Sequence, residues 1–162
     1  MNIVICKSMS KVYALSGVRC AYLCGPASMI EELRPLSPPW AVSLPGQIAA
    51  CEALRSTSYY EEKWRETHEL REELGNELKQ LGWKVFPGCA NFLLCQLPPN
   101  QPLVRDLVDA CRKQKLYLRD VTSMGKRFDE RTLRIAIKDK QTNLKALQIL
   151  RGVLAKVGVK NI

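Results

Sequence analysis

Short apolar runs alternate along the chain with longer stretches whose apolar residues recur at helical spacing. The short runs predict strands, and the helical spacing predicts amphipathic helices. The predicted strands lie at residues 3–6, 17–24, 90–95, 116–119 and 132–137, and a further one starts after residue 82. The predicted helices lie at residues 28–33, 48–54, about 59–81, 103–114 and 143–157. This pattern predicts an α/β chain whose first strand is buried and whose residues 82–162 form a small mixed α+β unit.

Three prolines separate the beginning of the chain from the rest. Pro35, Pro38 and Pro39 follow the short predicted helix at residues 28–33. Proline fixes its own backbone angle and lacks the N–H that a helix or sheet requires, so the cluster is expected to exclude regular structure. We therefore predict a linker between two pieces of the chain.

Four residues near the start of the chain suggest chemistry, namely Ser8, Ser10, Lys11 and Arg19. A lysine amine that acts as a nucleophile must lose its charge, and nearby cations or burial promote that loss. Serine hydroxyls and a guanidinium group can bind a phosphate beside it. Because apolar runs flank it on both sides, Lys11 is predicted to lie in a loop between two strands and to be the reactive centre.

The order of these residues resembles the cofactor-lysine signature of the fold-type I pyridoxal phosphate enzymes. Ser8, Ser10 and Lys11 are followed by Arg19 eight residues after the lysine. The likeness is greatest to the histidinol-phosphate aminotransferase branch and to its relative, threonine-phosphate decarboxylase. It implies that Lys11 binds pyridoxal 5'-phosphate covalently and moves protons as general acid and base. It also implies that Ser8, Ser10 and Arg19 bind the cofactor phosphate.

Two arginines are predicted to bind the substrate. Arg134 lies inside an apolar predicted strand, where an arginine needs an anion, and a ligand or an acidic side chain would serve equally. Arg119 precedes Asp120, so a surface ion pair at a strand end is the alternative there. The resemblance extends to the Ala-Asn-Phe motif at 90–92 and the Leu-Arg-Ile motif at 133–135. It implies that Arg134 binds the substrate carboxylate and that Arg119 helps to bind a distal phosphate.

The resemblance covers nearly the whole chain but only the C-terminal half of such an enzyme, so we expect a fragment or a truncated gene product. It implies that residues 1–34 are a remnant of the large cofactor-binding domain, 35–81 a linker with connecting helices and 82–162 the small domain. The leading function is amino-group transfer between an amino acid or amino-phosphate and a 2-oxo acid. The alternatives are decarboxylation of phosphorylated threonine, as in cobalamin biosynthesis, and an inactive fragment or binding module. Since the family completes its sites between subunits, a homodimer is expected.

Composition narrows the classes of partner. The net charge is +9, but charges of both signs alternate between residues 60 and 81, which indicates a solvated helix face, so nucleic acid is not expected. Seven cysteines without Cys-x-x-Cys spacing favour buried free thiols in a reducing compartment, and the single histidine, His68, argues against a metal site. No apolar run approaches the roughly 20 residues of a membrane span, and no signal peptide is recognisable. We therefore expect a cytoplasmic protein.

Overall fold

The computed structural model describes residues 3–157, which divide into two compact units. The first unit ends at Lys63 and the second begins at Trp64. The predicted division of the chain at residues 34 and 81 refers to the parent enzyme and stays a prediction. Each unit is described by itself.

The first unit begins with an antiparallel hairpin of two short strands, β1 (Ile5–Ser8) and β2 (Ala21–Cys24). All four residues of β1 are exposed, so the expectation of a buried first strand is wrong. The physical reason is that a ribbon of two strands has only one neighbour per strand and needs further layers to cover its apolar residues. The predicted strand at 17–24 begins only at Ala21, because a 3-10 turn occupies Ser16–Val18.

Lys11 does not lie in a loop, as predicted, but on the one-turn helix α1 (Met9–Val12). Ser8 is the N-cap of this helix, and its hydroxyl accepts a hydrogen bond from the backbone N–H of Ser10 at 3.3 Å. A serine in this position satisfies one of the free N–H groups at the start of a helix. The serine that was predicted as a ligand therefore also starts the helix that carries the lysine.

Three further helices follow, α2 (Ala27–Leu33), α3 (Leu44–Arg55) and the long α4 (Thr57–Gln80). The proline cluster does not exclude all regular structure, because Pro35 lies within a 3-10 helix at Arg34–Leu36. The first positions of a helix do not use their N–H groups, so a proline fits there. Helix α3 starts earlier than predicted for the same reason, with a proline in its first turn.

The second unit contains an antiparallel sheet of four strands in the order β3-β4-β6-β5. Its strands are β3 (Lys84–Phe86), β4 (Phe92–Gln96), β5 (Arg119–Asp120) and β6 (Thr132–Ala136). Two helices accompany the sheet, α5 (Val104–Lys113) and α6 (Lys140–Val157). Each element was predicted, although β5 starts only at the last residue of the predicted strand and α6 starts three residues early.

The core of the second unit lies on one face of this sheet. Alternate residues of a strand point to opposite faces. Leu93 and Cys95 of β4 and Leu133 and Ile135 of β6 are buried in one cluster with residues of α4, α5 and α6. The other face therefore carries the intervening residues, and these include Arg134.

Only two of the cysteines are buried, Cys95 and Cys111, although all seven are free thiols. Burial raises the pKa of Cys95 to about 12 and that of Cys111 to about 11. The expectation of mainly buried thiols is wrong for the others, because a residue of an apolar run is buried only where another element covers its side chain. Four cysteines are exposed and one is partly buried, namely Cys6, Cys24, Cys51, Cys89 and Cys20. Between residues 3 and 157, no helix has the length and apolar character to cross a membrane.

Candidate functional site

Helix α1 holds two hydroxyls and an amine within one helical turn. The hydroxyl oxygens of Ser8 and Ser10 lie 2.7 Å apart and share a hydrogen bond. Lys11 follows directly and is exposed. The amine of Lys11 is therefore not buried by the described residues.

Two buried side chains anchor the helical turn that carries Lys11. Met9 is 1% exposed and Tyr13 is 8% exposed, and the two are four residues apart, which places them on the same face of a helical turn. The N–H of Met9 donates to the carbonyl of Cys20 at 3.1 Å. The Tyr13 ring packs edge-on against Tyr60, with 5.0 Å between the ring centroids. These anchors were not predicted, although their spacing in the sequence was a usable signal.

Arg19 is the second part of the site. Its backbone is left-handed, with φ 57° and ψ 44°, and its Nη1 donates to the carbonyl of Ser16 at 3.2 Å. The hairpin register pairs Ser8 with Ala21, and the bond between Met9 and Cys20 continues that pairing by one step. The residue before Cys20 is thereby brought next to α1. Ser8, Ser10, Lys11 and Arg19 therefore lie at the same end of the hairpin, where the guanidinium group of Arg19 bonds to the Ser16 carbonyl.

The charge of this segment favours an anion. The first 30 residues contain three basic side chains, Lys7, Lys11 and Arg19, and no aspartate or glutamate. The first acidic residue is Glu31. A positive field with hydroxyl and guanidinium donors suits a phosphate, and an exposed amine beside it suits a carbonyl carbon. The residues present therefore fit a cofactor that carries both groups.

Arg119 and Arg134 lie directly opposite each other on β5 and β6. Residues in this relation point to the same face of the sheet. The guanidinium carbon of Arg134 lies 4.8 Å from the centroid of the Phe92 ring. Phe92 is a contact that sequence reasoning missed, although the Ala-Asn-Phe motif that contains it was noted.

For both arginines, the alternative to ligand binding was an ion pair with an acidic side chain of the protein. In the part of the chain that is described, neither Arg119 nor Arg134 has a salt bridge to an acidic side chain. Asp120 instead accepts hydrogen bonds from Thr122, at 2.8 Å from its N–H and 2.6 Å from its hydroxyl. Among residues 3–157, no group of three or more His, Cys, Asp or Glu side chains could hold a metal ion. The arginine pair therefore presents two guanidinium groups on one sheet face without a protein anion.

Known proteins resemble this chain along nearly all of its length. The aminotransferase class I and II family matches residues 1–150. A histidinol-phosphate aminotransferase of Rhodopseudomonas palustris (strain BisA53) is 29% identical over 156 residues, which are 96% of this chain and 42% of that protein. The crystal structure of the histidinol-phosphate aminotransferase from Clostridium acetobutylicum is similar with a TM-score of 0.84 at 28% identity, covering 94% of this chain and 46% of that one.

A decarboxylase shares the same fold. The L-threonine-O-3-phosphate decarboxylase from Porphyromonas gingivalis has a TM-score of 0.72 at 23% identity, with 94% of this chain and 46% of that chain covered. This chain thus spans less than half the length of the relatives it matches. The predicted α/β fold, similar to that of fold-type I aminotransferases, is confirmed.

Proposed function

We propose, because the chain belongs to the aminotransferase class I and II family, that it binds pyridoxal 5'-phosphate at Lys11 and serves amino-group transfer of the histidinol-phosphate type. The amino group would pass between an amino acid or amino-phosphate and a 2-oxo acid. The observation that carries the proposal is that Arg19 lies at the same end of the hairpin as Lys11 and the hydrogen-bonded hydroxyls of Ser8 and Ser10. No acidic residue occurs in that stretch of sequence to compete for these donors.

The roles of the residues follow from their chemistry. Bound pyridoxal phosphate supplies an electron sink for a carbanion at the substrate α-carbon. Ser8, Ser10 and Arg19 hold the phosphate through hydroxyl and guanidinium donors. Lys11 would hold the cofactor covalently. Once the substrate amine has displaced it, the freed lysine amine would accept the proton of the substrate α-carbon and return a proton to the product. The buried Met9 keeps the turn fixed while the lysine side chain moves.

The arginine pair supports an anionic substrate. Like charges at directly opposite positions of neighbouring strands are unfavourable, and an anion between Arg119 and Arg134 would offset that cost. We assign the substrate carboxylate to Arg134 and a distal phosphate to Arg119. The contact between the Arg134 guanidinium group and the Phe92 ring does not use the N–H donors, which are left for the ligand.

The first experiment tests the lysine. The chain is incubated with pyridoxal phosphate, reduced with borohydride and digested, and the modified peptide is identified by mass spectrometry. We expect the cofactor on Lys11, and its loss in Lys11→Ala. Lys7→Ala is the matched control, because Lys7 is exposed on the same hairpin and should be dispensable. Modification distributed equally over Lys7 and Lys11, or none at all, would refute the proposal.

A second experiment identifies the reaction. The chain with bound cofactor is supplied with histidinol phosphate and a 2-oxo acid, or with phosphorylated threonine, and the products are analysed. A new amino acid formed from the 2-oxo acid indicates transfer, and carbon dioxide indicates the decarboxylase alternative. A Lys11 adduct without either product would support the third alternative, a binding module. The proposed homodimer is tested on the same sample by light scattering, and the cytoplasmic location stays a prediction.

A further inference from the structure

Helix α3 approaches the turn before Arg19 more closely than a side chain would allow. Gly46 is buried in the first turn of α3. A methyl group placed on it would lie 2.9 Å from Cγ1 of Val18, 3.1 Å from Cγ1 of Val42 and 3.1 Å from Oγ of Ser43. Carbon atoms in good contact are about 3.5–4.0 Å apart. Only glycine therefore permits this approach.

The side chains of Val18 and Ser43 cannot easily rotate away from a methyl group on Gly46. Val18 is β-branched, so its side chain is confined to few rotamers. The hydroxyl of Ser43 is the N-cap of α3 and accepts the N–H of Gly46 itself at 3.3 Å. An added methyl group would therefore displace backbone, and the segment that can shift is the exposed turn Ser16–Val18.

That turn determines the position of Arg19. Val18 directly precedes Arg19, whose left-handed backbone is unfavourable for a residue with a side chain and needs support from its surroundings. The guanidinium group bonds back to the carbonyl of Ser16, at the other end of the same turn. Gly46 therefore contacts the turn at Val18, and this turn holds the backbone and the guanidinium group of Arg19.

We propose that Gly46 is a positioning residue for the phosphate-binding Arg19. The glycine lets α3 pack against Val18, and this packing fixes the turn from which the arginine reaches the anion. The inference rests on the proposed binding of pyridoxal phosphate at Lys11. A displacement of about 1 Å in a binding group can cost about 100-fold in function, so one methyl group is enough to matter.

The test compares Gly46→Ala with Gly152→Ala. Both glycines lie in helices, but a methyl group on Gly152 meets nothing within 4 Å. The dissociation constant for pyridoxal phosphate is measured by absorbance titration, and folding is checked by circular dichroism and the melting temperature. We expect Gly46→Ala to bind the cofactor at least about tenfold more weakly and Gly152→Ala to bind it unchanged. Val18→Ala, added to Gly46→Ala, should restore part of the affinity because it removes the tightest contact.

An Arg19→Gln background separates positioning from a general loss of structure. If Gly46 acts through Arg19, then Gly46→Ala should have little further effect on cofactor binding once the guanidinium group is gone. If Gly46→Ala does not fold, Val18→Ala alone serves as the perturbation, with a few-fold weaker affinity expected only when Arg19 is present. Equal affinity in wild type and variant, or a loss that persists with Arg19→Gln, would overturn the inference and leave the proposed function standing. Failure of wild type to form the Lys11 adduct would refute both.

Discussion

Replacing Arg119 with glutamine should stabilise the ligand-free protein. Arg119 and Arg134 face each other across β5 and β6, and like charges in this relation destabilise a sheet by about 0.2–1 kcal/mol. Arg119 is exposed, and the residue directly opposite it in the sheet is Arg134. Removing its charge should therefore raise the free energy of unfolding by that amount. In a domain of about 100 residues, this corresponds to a rise in melting temperature of roughly 1–8 °C.

The same substitution at Arg134 should not stabilise. Arg134→Gln relieves the same repulsion but also removes the contact with the Phe92 ring, which contributes about 0.5–1 kcal/mol. The two effects have similar size and opposite sign, so the net change should be near zero or slightly destabilising. Arg119→Lys is the control, because it keeps the charge and should give no gain.

Urea unfolding at low salt and at about 1 M salt provides the assay. At about 1 M the Debye length is roughly 3 Å, so repulsion between exposed charges is largely screened. The gain from Arg119→Gln should shrink there, whereas a gain from altered packing would persist. A lower stability of Arg119→Gln at low salt, or a gain that does not depend on salt, would refute the repulsion and weaken the case for an anion site.

Three further outcomes are expected. Leu78→Ala should lower the free energy of unfolding by about 2–5 kcal/mol in urea titration, because Leu78 is 0% exposed and its truncation leaves a cavity in the core. Cys95 and Cys111 should resist maleimide at neutral pH until the chain unfolds, because burial raises their pKa to about 12 and about 11. The Thr132 hydroxyl, 2.6 Å from Asp129, lowers the pKa of that carboxyl below 3.8. Thr132→Val should therefore cost less than about 1 kcal/mol at pH 7, because Asp129 is exposed and solvent weakens the bond, and the difference from wild type should narrow as the pH falls and Asp129 is protonated.

The second unit was predictable because its sequence signals are local. Leu133 and Ile135 alternate with polar residues along β6, and this alternation alone indicates which of its side chains enter the core. The long helix α4 ends where Gly82 adopts φ 80°, a conformation that glycine provides without strain. Signals of this kind need no knowledge of the rest of the fold.

The first unit was predicted less well because burial is not a local property. An apolar run such as that at residues 3–6 has the same pattern whether or not another layer covers it, and in the structure β1 is exposed. The helix at Lys11 was missed for another reason. An N-cap by Ser8 and two buried anchors four residues apart stabilise one helical turn inside a segment that otherwise has the composition of a strand and loop.

The candidate site was predicted residue by residue, but its pairings were not. Which residue of β5 faces Arg134 depends on the register between strands that are not adjacent in sequence, and no local pattern fixes that register. The contact between Arg134 and Phe92 has the same origin, since it joins neighbouring strands diagonally. The sequence therefore identified Arg119 and Arg134 as candidates, but only the register of the sheet shows that they lie opposite each other.

Both groups of candidate residues contain a locally unfavourable feature, namely the left-handed backbone of Arg19 and the like charges of Arg119 and Arg134 on opposite strands. These features bear on whether the residues bind anions. Natural sequences tend to keep such conflicts where function requires them. The left-handed backbone of Arg19 is the weaker argument, because Ala14, Trp40 and Lys115 share that conformation. The opposed guanidinium groups are the stronger argument, because two cations on one sheet face cost stability unless an anion joins them. That cost follows from strand register and not from the family resemblance, so it supports substrate binding at the arginine pair independently of the motif at Lys11.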